Sequence, residues 1–135
     1  MDSQYIQNLK AEHENIKELL HETARKGVAT PEGIEELEKL KKAFYEHKNN
    51  EDEYLMAKIE KANNSEEFFL SDTILENKKE HIQLEESIEK FFEMLKNPQI
   101  SEKTKNEEFG KFMAQFTLHM NKEEHTLYKE YDKIP

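Results

Sequence analysis

Two stretches in different halves of the chain follow one pattern: FYEHKNNEDEYLM at residues 44–56 and FTLHMNKEEHTLY at residues 116–128. Each reads Phe, two residues, His, three residues, Glu, three residues, Leu. Residues three or four apart lie on one face of an α-helix, so each stretch predicts a helix whose apolar stripe contains a histidine and a glutamate. Burying such polar groups costs free energy unless a partner compensates them.

The same helical spacing of apolar residues runs through four segments of the chain, which are separated by GVATPEG (27–33), NNSEE (63–67) and NPQISEK (97–103). Gly27 suits the end of a helix, and Thr30, Ser65 and Ser101 suit the first position of the next. Short connections between long helices place neighbours antiparallel. The sequence therefore predicts an all-α, up-down-up-down antiparallel four-helix bundle, with residues 1–135 forming one domain.

Composition narrows the class of protein. The chain has 135 residues, a formal net charge of −10 and no cysteine. An acidic surface disfavours nucleic acid and anionic membranes as partners, and the lack of cysteine excludes disulfides and thiolate metal sites. The N-terminus, MDSQYIQNLK, lacks the apolar run of a signal peptide. We expect a cytoplasmic protein that is a monomer or a weak homo-oligomer.

Each of the four stripes contains a histidine, and turn positions predict that all four lie at one depth. In an antiparallel hairpin, two residues are level when the turn is midway between them. The midpoint of His13 and His47 is residue 30, that of His47 and His81 is residue 64, and that of His81 and His119 is residue 100. All three midpoints fall within the expected turns, so the imidazoles should form one layer.

The two halves of the chain also match each other. A shift of 72 residues places His47 and Glu51 on His119 and Glu123, and a shift of 68 places His13 on His81. The matching apolar positions include Phe44 with Phe116, and Glu12 matches Glu80, just before the histidines of the first and third helices. This repeat suggests a pseudo-twofold bundle that supplies similar ligands to two metal positions.

Glu51 and Glu123 occupy core positions, where an unpaired carboxylate costs several kcal/mol or becomes protonated. Lys78 is the nearest candidate for a compensating cation on the inward stripes. Metal ions would compensate both carboxylates, and imidazole with carboxylate suits iron, zinc or manganese. The alternative is a metal-free interaction bundle with a hydrated polar layer.

Four stretches, AEHENIKELL (11–20), FYEHKNNEDEYLM, KEHIQLEESI (79–88) and FTLHMNKEEHTLY, together resemble the hemerythrin-like, or HHE cation-binding, domain. That resemblance covers nearly the whole chain and implies a non-haem di-iron site in a hemerythrin-like bundle. It implies His13 and His47 as ligands of one iron, His81 and His119 as ligands of the other, Glu51 and Glu123 as bridges, and an oxo or hydroxo bridge. In the family pattern a second acid follows the motif glutamate, and Asp52 and Glu124 stand at the corresponding positions here.

One departure bears on function. The oxygen-carrying hemerythrins have a fifth histidine, four residues from another on the third helix, whereas Asn77 and Glu85 stand four residues before and after His81 here. We therefore expect a small ligand (dioxygen, nitric oxide or peroxide) to be bound for sensing, storage or detoxification, with Glu85 as an extra oxygen ligand in one version of the site. Iron sensing, iron storage and repair of iron centres are alternatives, and weak peroxidase or nitric oxide reductase activity is a third reading.

Other tyrosines and histidines near the motifs are expected to have structural roles. The chain lacks the Glu-x-x-His pairs of ferritin-like di-iron proteins, which disfavours that class. Tyr54 and Tyr128 follow the two motif glutamates; rim packing is the interpretation we favour for both, and a hydrogen bond from one of them to the site is the alternative. His21 and His125 are expected at the surface or behind the ligands.

Overall fold

The structure is a computed structural model that describes residues 3–63 and 68–133. Its helices form four long segments, and no strand occurs within those ranges. The segments are α1 (Gln4–Lys26); α2 (Pro31–Asn50), a π-helical turn (Glu51–Leu55) and α3 (Met56–Asn63); α4 (Phe68–Leu95); and α5 (Glu102–His125) with the short α6 (Leu127–Asp132). Helix α1 packs against α2 and α5, and α4 packs against α5. The predicted all-α four-helix bundle is confirmed.

Local sequence signals set the helix ends. Gly27 ends α1 in a left-handed conformation with φ 89°, which glycine adopts without steric cost. The side chains of Ser3, Thr30 and Ser101 accept hydrogen bonds from backbone N–H groups in the first turns of α1, α2 and α5. These caps satisfy groups that helix geometry leaves unpaired. Ser65 lies outside the described residues.

Two apolar clusters fill the bundle on either side of its middle. The larger one, toward the 27–30 and 96–101 connections, is rich in phenylalanine; the smaller one lies toward the N-terminus and α6. The larger cluster contains Ile16, Leu20, Val28, Leu37, Leu40, Phe44, Leu84, Ile88, Phe91, Phe109, Phe112, Phe116 and Met120. The smaller one contains Ile6, Leu9, Leu55, Met56, Ile59, Ile74, Leu127 and Tyr128.

Both helices that carry the repeated motif depart from regular α-helix just after the motif glutamate. The π-helical turn spans Glu51–Leu55, and the backbone N–H of Met56 bonds to the carbonyl oxygen of Glu51. In the other half, α5 stops at His125, and Thr126 (φ −124°, ψ −79°) separates it from α6. A shift of 72 residues superposes these two irregular segments in sequence. The spacing of apolar residues predicted regular helix at both places; the structure differs in that each break changes the helical phase by about one residue.

Within the described ranges, no helix combines the length and apolar character that crossing a membrane requires.

Glycine substitutions test the close contact at the first turn. A Cβ atom on Gly33 would lie 1.8 Å from the carbonyl oxygen of Gly27, whereas one on Gly110 meets nothing within 4 Å. We expect Gly33→Ala to lower the free energy of unfolding by about 1–3 kcal/mol, the usual cost of overpacking. Gly110→Ala, the matched control in a helix interior, should raise it by about 0.5–1 kcal/mol. Urea unfolding of the metal-free proteins measures both, and an unchanged Gly33→Ala variant would contradict the contact.

Candidate metal centre

The six side chains singled out from the sequence meet in one buried layer between the two apolar clusters. All six are at most 5% exposed. The ring centroids of His13 and His47 lie 4.6 Å apart, and those of His81 and His119 lie 5.0 Å apart. The four histidines thus share one level, as the turn midpoints predicted. They form two pairs: His13 of α1 lies beside His47 of α2, and His81 of α4 lies beside His119 of α5.

Glu123 lies between the two pairs. Its Oε1 atom is 3.0 Å from Nε2 of His13, and its Oε2 atom is 3.0 Å from Nε2 of His81 and 3.1 Å from Nε2 of His119. One oxygen therefore faces each histidine pair. This is the arrangement that a carboxylate needs in order to bridge two cations.

Glu51 spans the two pairs in the same way. Its Oε2 atom is 3.2 Å from Nε2 of His47, and its Oε1 atom is 3.2 Å from Nε2 of His81. The contact to His81 lacks the angles of a hydrogen bond, so Oε1, although fully buried, has no hydrogen-bond partner among the described residues. A buried carboxylate oxygen in that position is destabilising unless a cation lies beside it.

An outer set of carboxylates holds each imidazole from behind. The Nδ1–H group of every one of the four histidines donates to an acid on a neighbouring helix, at 2.5–2.9 Å. The pairs are His13 with Glu124, His47 with Glu12, His81 with Asp52 and His119 with Glu80. Such a bond fixes the ring orientation and directs Nε2 inward, and metal-binding histidines usually have one.

These contacts obey the sequence repeat. The acid that precedes the first-helix histidine, Glu12, bonds to His47, and its counterpart Glu80 bonds to His119. The acid that follows each motif glutamate bonds to the histidine of the other hairpin, as Glu124 does to His13. The inner six side chains and the outer four thus share one pseudo-twofold arrangement. The repeat positions of Glu12 and Glu80 were the sequence signal for the outer set.

Electrostatics couple the layer tightly. Burial lowers the pKa of His81, but hydrogen bonds to Asp52 and Glu123 outweigh it and raise that pKa to about 11. For His119, too, burial is outweighed, chiefly by the charge of Glu123, and its pKa is raised. Burial raises the pKa of Glu123, yet the opposing histidines, His119 first, hold it well below the usual range. In the absence of metal, protons on His81 and His119 therefore supply positive charge beside the buried Glu123 carboxylate.

The donor atoms form two overlapping groups that could hold cations. One consists of His13, His47, Glu51 and Glu123, and the other of His81, His119 and Glu123, with the donor atoms of each group within 4.8 Å of one another. Imidazole nitrogen and carboxylate oxygen suit iron, zinc and manganese. The Oε1 atom of Glu51, which has no hydrogen-bond partner among the described residues, and the shared Glu123 both fit a pair of cations.

Tyr128 is the site residue that sequence reasoning placed wrongly. We expected it at the rim, but it is 1% exposed, and its hydroxyl donates to Oε2 of Glu51 at 2.6 Å. The hydroxyl oxygen of Tyr128 also lies 3.0 Å from Nε2 of His13. Burial, followed by the charges of Glu51 and Glu123, raises the pKa of this phenol far above its usual value. Tyr54, in contrast, is 43% exposed.

Other candidates lie away from the centre. Lys78 pairs with Glu60 at the surface and does not reach the buried carboxylates. Glu85 forms an ion pair with Lys48 between α2 and α4, so the structure does not bring it into the layer. His125 is exposed and bonds to a backbone oxygen.

Asn77, one turn before His81 on α4, is buried at 4% exposure. Its Oδ1 atom has no hydrogen-bond partner within the described part of the chain. The midpoint rule that places the histidines also puts Asn77 level with Glu51 and Glu123, since residues 64 and 100 lie midway. A polar side chain therefore occupies one of the two positions, four residues from His81, at which the oxygen-carrying hemerythrins would have a fifth histidine.

Comparison with known proteins agrees with this geometry. The family model described as "Hemerythrin HHE cation binding domain" matches residues 4–131, nearly the whole chain. Searches of curated proteins and of solved structures gave no match. The matched span includes all four histidines, both buried glutamates and the four outer carboxylates. The chain therefore belongs to the hemerythrin HHE cation-binding domain family.

Proposed function

We propose that this protein binds two iron ions in the buried layer and that the iron pair binds a small ligand, dioxygen, nitric oxide or peroxide, for sensing, storage or detoxification. The main support for this proposal is that each of the four imidazoles is anchored through Nδ1 to its own outer carboxylate. The Nε2 atom of each ring then lies within 3.0–3.2 Å of a carboxylate oxygen of Glu51 or Glu123, so the layer is organised around its centre.

The proposed ligands divide by their contacts. His13 and His47 hold one ion, His81 and His119 hold the other, and Glu51 and Glu123 bridge them. Binding replaces the protons on the imidazoles with metal charge, so cations take over the compensation of the buried carboxylates. Two imidazoles and two shared carboxylate oxygens give each ion four protein donors, which leaves coordination positions for an exogenous ligand.

The surroundings of the layer support a small ligand. Apolar clusters close it from both ends of the bundle, so the site is shielded from bulk water. A cleft of about 170 Å³ between α4 and α5 reaches His119 and is bordered by Glu80, Leu118 and Lys122. A small molecule could approach His119 through this cleft, and the ion pair of Glu80 with Lys122 at 2.6 Å lies at its edge.

Iron is proposed over zinc and manganese because an iron pair supplies the redox chemistry that these small ligands require. Metal analysis of protein purified without chelator tests the first step: two tightly held irons per chain are expected, and none would end the proposal. Optical spectra of the ferric protein with and without azide, and of the ferrous protein with nitric oxide, then test ligand binding. Reversible dioxygen uptake and peroxide turnover separate a carrier from an enzyme.

His119→Ala should lose at least one iron while the helices remain formed, because the variant removes one imidazole of the second pair. His125→Ala is the matched control, since that ring is exposed and bonds to the backbone oxygen of Asn121 at 2.7 Å. It should retain two irons. Elemental analysis with circular dichroism measures both, and full occupancy in His119→Ala would exclude this ring as a ligand.

Removing the metal should lower the melting temperature. Free metal at 100 times its Kd adds about 2.7 kcal/mol to the free energy of unfolding, which for a chain of this length corresponds to about 10 °C. Thermal unfolding of metal-loaded and chelator-treated protein at one pH gives the difference. Equal melting temperatures would show that the native state does not bind the metal preferentially.

Glu124→Gln should weaken metal binding by about 10–100-fold, because it removes the charge that orients the His13 ring and keeps that imidazole basic. Glu14→Gln is the matched control: the side chain of Glu14 is 72% exposed and pairs with Lys17 on the same helix. Competition with a chelator of known affinity measures both variants. Equal affinity in the two would mean that the outer carboxylates are not needed for binding.

A further inference from the structure

The two halves of the metal layer differ at one residue that touches the ligands. A shift of 72 residues relates Met56 to Tyr128, and both side chains are buried, at 0% and 1% exposure. Met56 follows the π-helical turn and Tyr128 follows the break at Thr126. The two irregular segments therefore bring equivalent positions into the interior, and only one of them carries a hydroxyl group.

The Tyr128 hydroxyl oxygen lies among the donors of one metal position. It is 2.6 Å from Oε2 of Glu51, 3.0 Å from Nε2 of His13 and 3.4 Å from Nε2 of His47. These are three of the four donors in the first cation-binding group. The corresponding second group includes no such contact from Met56, which packs in the smaller apolar cluster.

We propose that Tyr128 is a further protein ligand, through its phenolate oxygen, of the iron held by His13 and His47. This inference rests on the proposed function, since it assumes that iron occupies the layer. When iron binds, the O–H bond of the phenol breaks, the proton passes to bulk water, and the oxygen forms a bond to the metal. The step involves no change in oxidation state.

The position of the ring favours direct coordination. It stacks on the His13 ring, with centroids 5.4 Å apart and planes at 20°, and it packs with Leu55, Ile59 and other members of the smaller cluster. A ring so enclosed has little freedom to withdraw its oxygen from the donor group. An adjacent cation also reverses the effect of the carboxylates on the phenol and favours its ionised form.

The consequence is a metal pair with two unlike members. The first iron would have two imidazoles, two carboxylate oxygens and a phenolate, whereas the second has no phenolate and lies on the side of His119, where the cleft approaches. The exogenous ligand is therefore expected at the second iron. A phenolate is a hard anionic donor, so it should stabilise iron(III) relative to iron(II) at the first position.

The test is the visible spectrum of the iron(III) protein, prepared by adding iron(II) salt anaerobically and oxidising with ferricyanide. Wild type should show a phenolate-to-iron(III) charge-transfer band and resonance-enhanced tyrosine ring modes in the Raman spectrum. Tyr128→Phe should lose the band and the ring modes while retaining two irons, and its iron should be more easily reduced. Tyr54→Phe, which removes a 43% exposed ring, is the matched control and should keep the band.

The outcomes separate this inference from the proposed function. Wild type that holds no iron overturns both. Wild type that holds two irons without the charge-transfer band or the Raman ring modes overturns the phenolate ligand alone, as does a band that persists in Tyr128→Phe. Circular dichroism checks that the variant folds. Should it not fold, the wild-type Raman spectrum alone shows whether a phenolate binds the iron.

Discussion

Mutual compensation of charge within one buried layer is the constraint on which the rest of this structure depends. Four imidazoles and two carboxylates lie at most 5% exposed between two apolar clusters. Burying any one of them alone would cost several kcal/mol. They are tolerated because every imidazole contacts Glu51 or Glu123 on its inner side and a second carboxylate on its outer side, so that each buried polar group has a complementary neighbour. The helices, turns and caps place these groups at a common depth.

The level of the histidines could be predicted because chain connectivity fixes it. Two short described connections, between α1 and α2 and between α4 and α5, make depth a matter of counting residues from the turn, and the caps at Thr30 and Ser101 mark those turns. The direction of each ring could not be predicted in the same way. It depends on which acid stands behind it, and a chain with 30 acidic residues offers many candidates. Only the repeat drew attention to Glu12 and Glu80.

The buried position of Tyr128 could not be predicted from helical periodicity. An α-helix continued regularly from Glu123 would bring Leu127 inward and turn the next residue away from it. The break at Thr126 restarts the helix, so Leu127 and Tyr128 are both buried. The π-helical turn has the same effect on Leu55 and Met56 in the other half. Predicting buried positions from regular spacing assumes one constant helical phase. A single extra residue in a helical turn changes that phase, and the amino-acid composition does not reveal it.

Two departures from pseudo-twofold symmetry lie at buried positions. Asn77 corresponds to Leu9 under the 68-residue shift, and Tyr128 corresponds to Met56 under the 72-residue shift; all four are buried. None belongs to the six shared side chains or to the outer carboxylates. The two halves of the layer therefore differ at buried positions while keeping the same helices and the same anchoring carboxylates. Specialisation and folding are in this way separated within a single small bundle.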